Sequence, residues 1–191
     1  MTELGNRIDR FMALMAPVGK TLPLEEIGDK LLDMGFFTAP ASSCYHGNWE
    51  GGLFQHSDNV TTALLNLTEQ MGLRWQRPES PYIIGMFHDL CKCDQYEHPV
   101  IGEALNGDQI EGEGWDYRKD MLLKGHGEKS IALAATLTDL TYEEVLCIRY
   151  HMGAFVPKEE WNDYTRAIHH FKNVLWTHTA DMMAAHIMEV S

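Results

Sequence analysis

The chain has 191 residues, of which 45% are hydrophobic and 23% charged, and it carries a formal charge of -13. A chain of this length can bury roughly 70% of its unfolded surface in a single core. No apolar run approaches the ~18 residues that a membrane span requires. A single soluble domain is therefore expected. The negative charge makes long duplex nucleic acid a poor partner, whereas a small anion remains admissible where a bound divalent metal reverses the local field.

In chain order, Ile8, Phe11, Met12 and Met15 recur at helical intervals, as do Leu24, Ile27, Leu31 and Leu32 behind Pro23, so two leading helices are predicted within residues 5 to 34. The series Val60, Ala63, Leu64, Leu67 and Met71 predicts a helix from His56 that Gly72 ends. Ser80 and Pro81 look like an N-cap and a proline at the first helical position, opening the helix that carries His88 and Asp89. Residues 92 to 125 are rich in glycine and acids and predict a long irregular excursion, with room for a short hairpin. Periodicity returns with Ile131, Leu133, Ala134 and Leu137, and Thr141 with Glu144 forms a capping box for a helix reaching His151. A last long helix is predicted from about Asp163 to Met188, and strand signals are sparse, so the expected fold class is all-α.

The opening residues mix acids and bases through the hydrophobic positions, unlike a secretory signal, and a cytoplasmic location is expected. Cys44, Cys91, Cys93 and Cys147 are too few and too irregular for a disulfide framework. They are read as reduced thiols, with metal contact by Cys91 or Cys93 as the lesser alternative.

Ten histidines is a high count, and several stand at structural punctuation. His56 follows a Gly-Gly turn, His88 and Asp89 close a helix, His126 lies between two glycines, and His151 ends a helix. Asp181 falls inside an apolar helix, where an isolated carboxylate costs several kcal/mol unless it is paired or holds a cation. Each feature alone has a plain structural reading. Together, YHGNWEGGLFQHS around His56, GMFHDLCK around His88, GHGEKS around His126, IRYHMG around His151 and HTADMMA around Asp181 make an ordered set.

This order resembles the HD-domain superfamily of metal-dependent phosphohydrolases, over residues 45 to 183. The resemblance implies a single HD-domain helical bundle over residues 1 to 191, whose metal-binding core lies within residues 45 to 188. It also implies that His56, His88, Asp89 and Asp181 hold one ion, while His126 and His151 add a second that Asp89 bridges to the first. The implied cofactor is a pair of divalent transition-metal ions, and imidazole and carboxylate donors suit Mn, Fe, Co, Ni or Zn alike. Lys92 matches the lysine of the superfamily's HDxGK pattern, although Cys91 stands where that pattern has glycine.

Asp89, Lys92 and Arg149 are the candidate catalytic residues, with Lys92 and Arg149 set to steady charge on a phosphoryl group. Lys129 is a further candidate for an anionic group, and Lys124 is read more readily as a solvated charge. Glu128 either orients a ligand histidine or charges a helix N-terminus. His46 and Glu50 either reach substrate or serve the glycine-rich turn, and Trp115 and Tyr117 either stack on a base or anchor the excursion. His178 is read as packed, and His98, His169, His170 and His186 as surface or structural.

The expected function is hydrolysis of a phosphate ester or anhydride of a small phosphorylated molecule, with nucleotides preferred by analogy. A mixed-valent di-iron oxygenase of the same superfamily is the alternative from another reaction class, and a non-catalytic nucleotide-binding domain is the third. Methionines and tryptophans leave a homo-oligomeric interface open, with core packing as their plainer use.

Overall fold

The computed structural model describes residues 2–45, 47–104 and 106–189. Among them, eight α-helices and two short antiparallel ribbons give a mainly-α architecture. The leading helices are α1 (Glu3–Met15), which Thr2 caps by accepting from the Gly5 amide, and α2 (Leu24–Asp33). They bury Phe11, Met15, Ile27 and Leu31 against Phe36, Phe37 and Phe54, whose rings meet edge to face at 5.3 to 6.1 Å. Aromatic pairs at such spacing add about 0.5–1.5 kcal/mol each beyond their buried area.

Helix α3 (Gly52–Met71) stops as predicted at Gly72, which is left-handed with φ 63°. Its partner α4 (Ser80–Phe87) is buried nearly all round. Ile83, Met86 and Phe87 join the phenylalanine-rich core, and Ile84 joins a second core with Val60, Leu64, Cys147 and Val174. A helix placed between two cores has no polar face, which explains the apolar run ahead of His88. The two helices nearly touch at Gly85, where a Cβ would lie 2.5 Å from Thr61 Cα.

Ser80 does not cap α4 as expected; it is the first helical residue, and its hydroxyl donates to Glu144 at 2.8 Å. Glu144 also accepts from both ends of the Arg77 guanidinium and from the Thr141 amide, the predicted capping box of α6 (Tyr142–Arg149). Glu143 beside it accepts from the Gln76 amide and from Asn173, which ties α6 to α8 (Asn173–Met183).

The predicted long last helix is two helices. The first, α7 (Trp161–His170), ends where Phe171 turns extended (φ -127°, ψ 106°), and α8 then runs into a π-helical segment, Ala184–Met188. At the break, Phe171 packs on the second core.

The excursion carries the expected hairpin. After a 3-10 stretch, Leu90–Asp94, strand β1 (Tyr96–Glu97) pairs with β4 (Asp116–Tyr117), and between them β2 (Val100–Glu103) pairs with β3 (Gln109–Glu111). Helix α5 (Gly127–Ala134) follows and packs against α6.

Candidate metal centre

His56 sits in the second turn of α3, and the Gly-Gly turn before it is sterically required. Gly51 has φ 83°, and a Cβ on Gly52 would come within 2.0 Å of the Gly47 carbonyl oxygen. His88 caps the C-terminus of α4, and Asp89 leaves helical geometry, so the chain turns into the 3-10 stretch that carries Lys92. His126 immediately precedes α5. A Cβ at the neighbouring Gly127 would lie 2.5 Å from the Arg149 carbonyl oxygen, so glycine there lets α5 approach the end of α6, just beyond which lies His151. Asp181 comes from α8.

The four histidines share one orientation. In His88, Nδ1 donates to the Gly85 carbonyl at 2.9 Å, and in His151, Nδ1 donates to the Ile148 carbonyl at 2.7 Å. Nδ1 of His56 meets the Glu189 carboxylate at 2.8 Å, and Nδ1 of His126 meets the Cys91 sulfur at 3.3 Å. A carbonyl only accepts, so in His88 and His151 the proton belongs to Nδ1 and the Nε2 lone pair faces inward. Hydrogen bonds at the outer nitrogen commonly hold a metal-ligating imidazole in place.

Asp89 divides the cluster. Its Oδ2 lies 3.5 Å from His88 Nε2 and 3.7 Å from His56 Nε2, beside Asp181, whose Oδ1 is 3.0 Å from His56 Nε2. Its Oδ1 lies 2.8 Å from His126 Nε2 and 3.3 Å from His151 Nε2. Those last distances are short enough for hydrogen bonds, yet the atoms are not aligned to make them, and Asp89 Oδ1, His126 Nε2 and His151 Nε2 are all buried. Buried polar atoms that converge without bonding one another fit a cation between them. His56 with His88 and Asp181, and His88 with Asp89 and His151, each bring ligand atoms close enough to hold an ion, and so do Asp89, Cys91 and His126.

The electrostatics leave His88, Asp89 and Asp181 ready for a cation, whereas His56 must first give up a proton. Burial lowers the His88 pKa, neighbouring His151 and His56 reinforce the shift, and the group is pushed down to about 4 despite Asp89 and Asp181. His88 is thus neutral near pH 7, with its lone pair free. Burial opposes ionisation of Asp89 and Asp181, but Lys92 and the histidines outweigh it at Asp89, and the His56 hydrogen bond and charge outweigh it at Asp181, so both carboxyls stay below their usual range. His56 is raised to about 9, because the Asp181 and Glu189 carboxylates outweigh its burial. Lys92 Nζ is 2.7 Å from Asp89 Oδ2, and that pairing raises its pKa against the cost of burial.

Of these donors, His56, Asp89, His126 and Asp181 open into a cavity of about 350 Å³ that Lys92, Gln95, Tyr96, Tyr117, Met152 and Phe155 also line. Compared with protein-family models, with curated proteins and with solved structures, the chain gives no match. Its own geometry therefore carries the functional argument.

Other expected substrate contacts lie elsewhere. The Arg149 guanidinium is held between Glu160 and Glu128, at 2.5 and 2.7 Å, and does not line the cavity. Lys129 is buried, bonds Asp94 and does not line the cavity either. Trp115 anchors the excursion: its indole donates to the Asn48 carbonyl, and its ring stacks on His98 at 4.0 Å, over a separate depression. Glu50 pairs with Arg7. His46 lies outside the described residues. Of the two excursion aromatics considered, only Tyr117 lines the cavity.

Two residues gave no signal in the sequence. Glu189 orients His56 from beyond the last helix, with no motif around it. His178, read as packed, donates from Nδ1 to the His151 carbonyl at 2.8 Å, and its ring presses on Gly153 (φ 59°), steadying the turn that presents His151.

Proposed function

We propose that this chain is a metal-dependent phosphohydrolase of the HD-domain type, which cleaves a phosphate ester or anhydride of a small molecule. The observation that carries the reading is the division of Asp89, one oxygen toward His56, His88 and Asp181 and the other toward His126 and His151. His56, His88, Asp89 and Asp181 would hold one ion, and Asp89, His126 and His151 a second. Divalent ions bound there supply a Lewis acid and a water acidified toward neutrality.

The protein's own groups do the rest. Asp89 and Asp181, held ionised, and His88, held neutral, offer donors without first losing protons. Lys92, the cation that lines the cavity, holds a non-bridging phosphoryl oxygen and offsets the charge that grows there as water attacks. Glu189 and the Gly85 and Ile148 carbonyls keep the imidazoles aimed.

The test is to strip the protein with a chelator, restore Mn, Co, Ni, Fe or Zn in turn, and assay phosphomonoesters, nucleotides and cyclic dinucleotides. Metal-dependent hydrolysis is expected, and silence across every metal and substrate overturns the reading. Oxygen consumption that requires iron, in place of hydrolysis, would instead establish the di-iron oxygenase alternative.

A further inference from the structure

Three large aromatic or phenolic side chains that the fold leaves open to solvent, Tyr45 (77% exposed), Phe155 (73%) and Tyr117 (58%), all line the cavity above the metal ligands. They come from three separate places: the loop before α3, the turn after α6 and strand β4. Scattered exposed aromatics need no explanation, but convergence on one concavity marks a binding surface. Tyr96 lies deeper, its ring 5.1 Å from that of Tyr117 and its hydroxyl held by the Gln95 amide at 3.0 Å, so the wall is partly fixed in place.

The charge on this wall is equally specific. Among the described residues lining the cavity, Lys92 is the only lysine or arginine. Arg118, Lys129 and Arg149 do not line it, and each is paired with carboxylates elsewhere. The ribbon that supplies Tyr96 and Tyr117 also carries Glu97 opposite Asp116, and Arg118 beside them pairs with Glu97 at 3.2 Å without lining the cavity. A second or third phosphate within the cavity would find no further lysine or arginine on its described lining.

Resting on the phosphohydrolase reading, we infer that the substrate is a phosphomonoester: one phosphoryl group at Lys92 and the ligand cluster, joined to an uncharged, ring-bearing group that lies against Tyr117, Tyr96 and Phe155. A nucleobase or a simple aryl ring offers the same flat apolar face. Nucleoside triphosphates and cyclic dinucleotides are discriminated against, because each carries phosphate charge that the aromatic wall cannot match.

The experiment uses Mn-loaded full-length protein with a nucleoside 5′-monophosphate, its triphosphate, phenyl phosphate, glycerol phosphate and a cyclic dinucleotide. Both kcat/KM and calorimetric affinity are measured. The ring-bearing monoesters should exceed the triphosphate and the cyclic dinucleotide by at least about tenfold in both measures. Comparing the nucleotide with phenyl phosphate distinguishes a nucleoside pocket from a general aryl one. In the double variant Tyr117→Ala, Phe155→Ala, the preference for phenyl phosphate over glycerol phosphate should fall about tenfold. A triphosphate or cyclic dinucleotide handled as well as the monoesters, an unchanged preference in the double variant, or no binding of either ring-bearing monoester overturns the inference. Turnover in the wrong order would sink this inference and leave the hydrolase reading standing. The expected binding order without hydrolysis of any ester would do the reverse.

Discussion

Asp89 carries the most chemistry of any residue in the cluster, because each of its oxygens serves a different set of imidazoles while Lys92 holds it ionised. Asp89→Asn should therefore bind fewer equivalents of Mn and lose at least about a hundredfold in kcat, read by metal analysis and phosphate release. Glu189 acts only through His56, so Glu189→Gln should weaken metal affinity by about 10–100-fold while the fold persists, as competition with a chromophoric chelator would report. Lys92→Ala and Arg149→Ala separate the two cations that the sequence presents as equals. The first should cost about 10²–10³ in kcat/KM. The second should act mainly on stability, since Arg149 bonds Glu128 and Glu160 and stands off the cavity.

The elements show where sequence reasoning succeeds and where it stops. The capping box at Thr141 and Glu144 and the left-handed Gly72 are local devices within a few residues, and their residue types announce them. His56, His88–Asp89, His126, His151 and Asp181 each stood out singly by place in or at the end of an element, and only the resemblance of their order to a family joined them into one set. The break at Phe171 was not legible, because it depends on a side chain finding the second core. Ser80 resembled a cap, but a distant carboxylate, Glu144, takes its hydroxyl. Glycine between helices sets the site's width: Gly127→Ala would place a methyl group 2.5 Å from the Arg149 carbonyl oxygen. That overpacking should destabilise by about 1–3 kcal/mol and push His126 away from His151. Thermal melts and loss of one metal equivalent would check it.

At the scale of the molecule, a chain of charge -13 gathers buried Asp89 and partly exposed Asp181 around a single lysine. Ions that bind only the folded state stabilise it by mass action, about 2.7 kcal/mol per site at a hundredfold excess over Kd. Chelation should then lower Tm by on the order of 5–10 °C per site, about 10–20 °C for two, given the 2–4 °C per kcal/mol typical of this size. Any one of the five metals that fits should restore it, and an unchanged melt would count against bound ions. Among the described residues, no helix is long and apolar enough to cross a membrane, as the composition predicts.

Local patterns were enough for the mainly helical build and the hairpin-bearing excursion, because periodicity, caps and glycines act over a few residues, whereas the set of histidines and aspartates that meet was implied by the resemblance of their order to a known family. Long-range packing settled which cation lines the cavity, which carboxylate aims His56, and which aromatics face the cavity. Those outcomes turn on contacts such as Lys129 with Asp94, Glu189 with His56 and Trp115 with Asn48, between residues far apart in the chain. A charge or ring is committed by whatever partner folding brings within about 3–4 Å of it, and no local pattern names that partner.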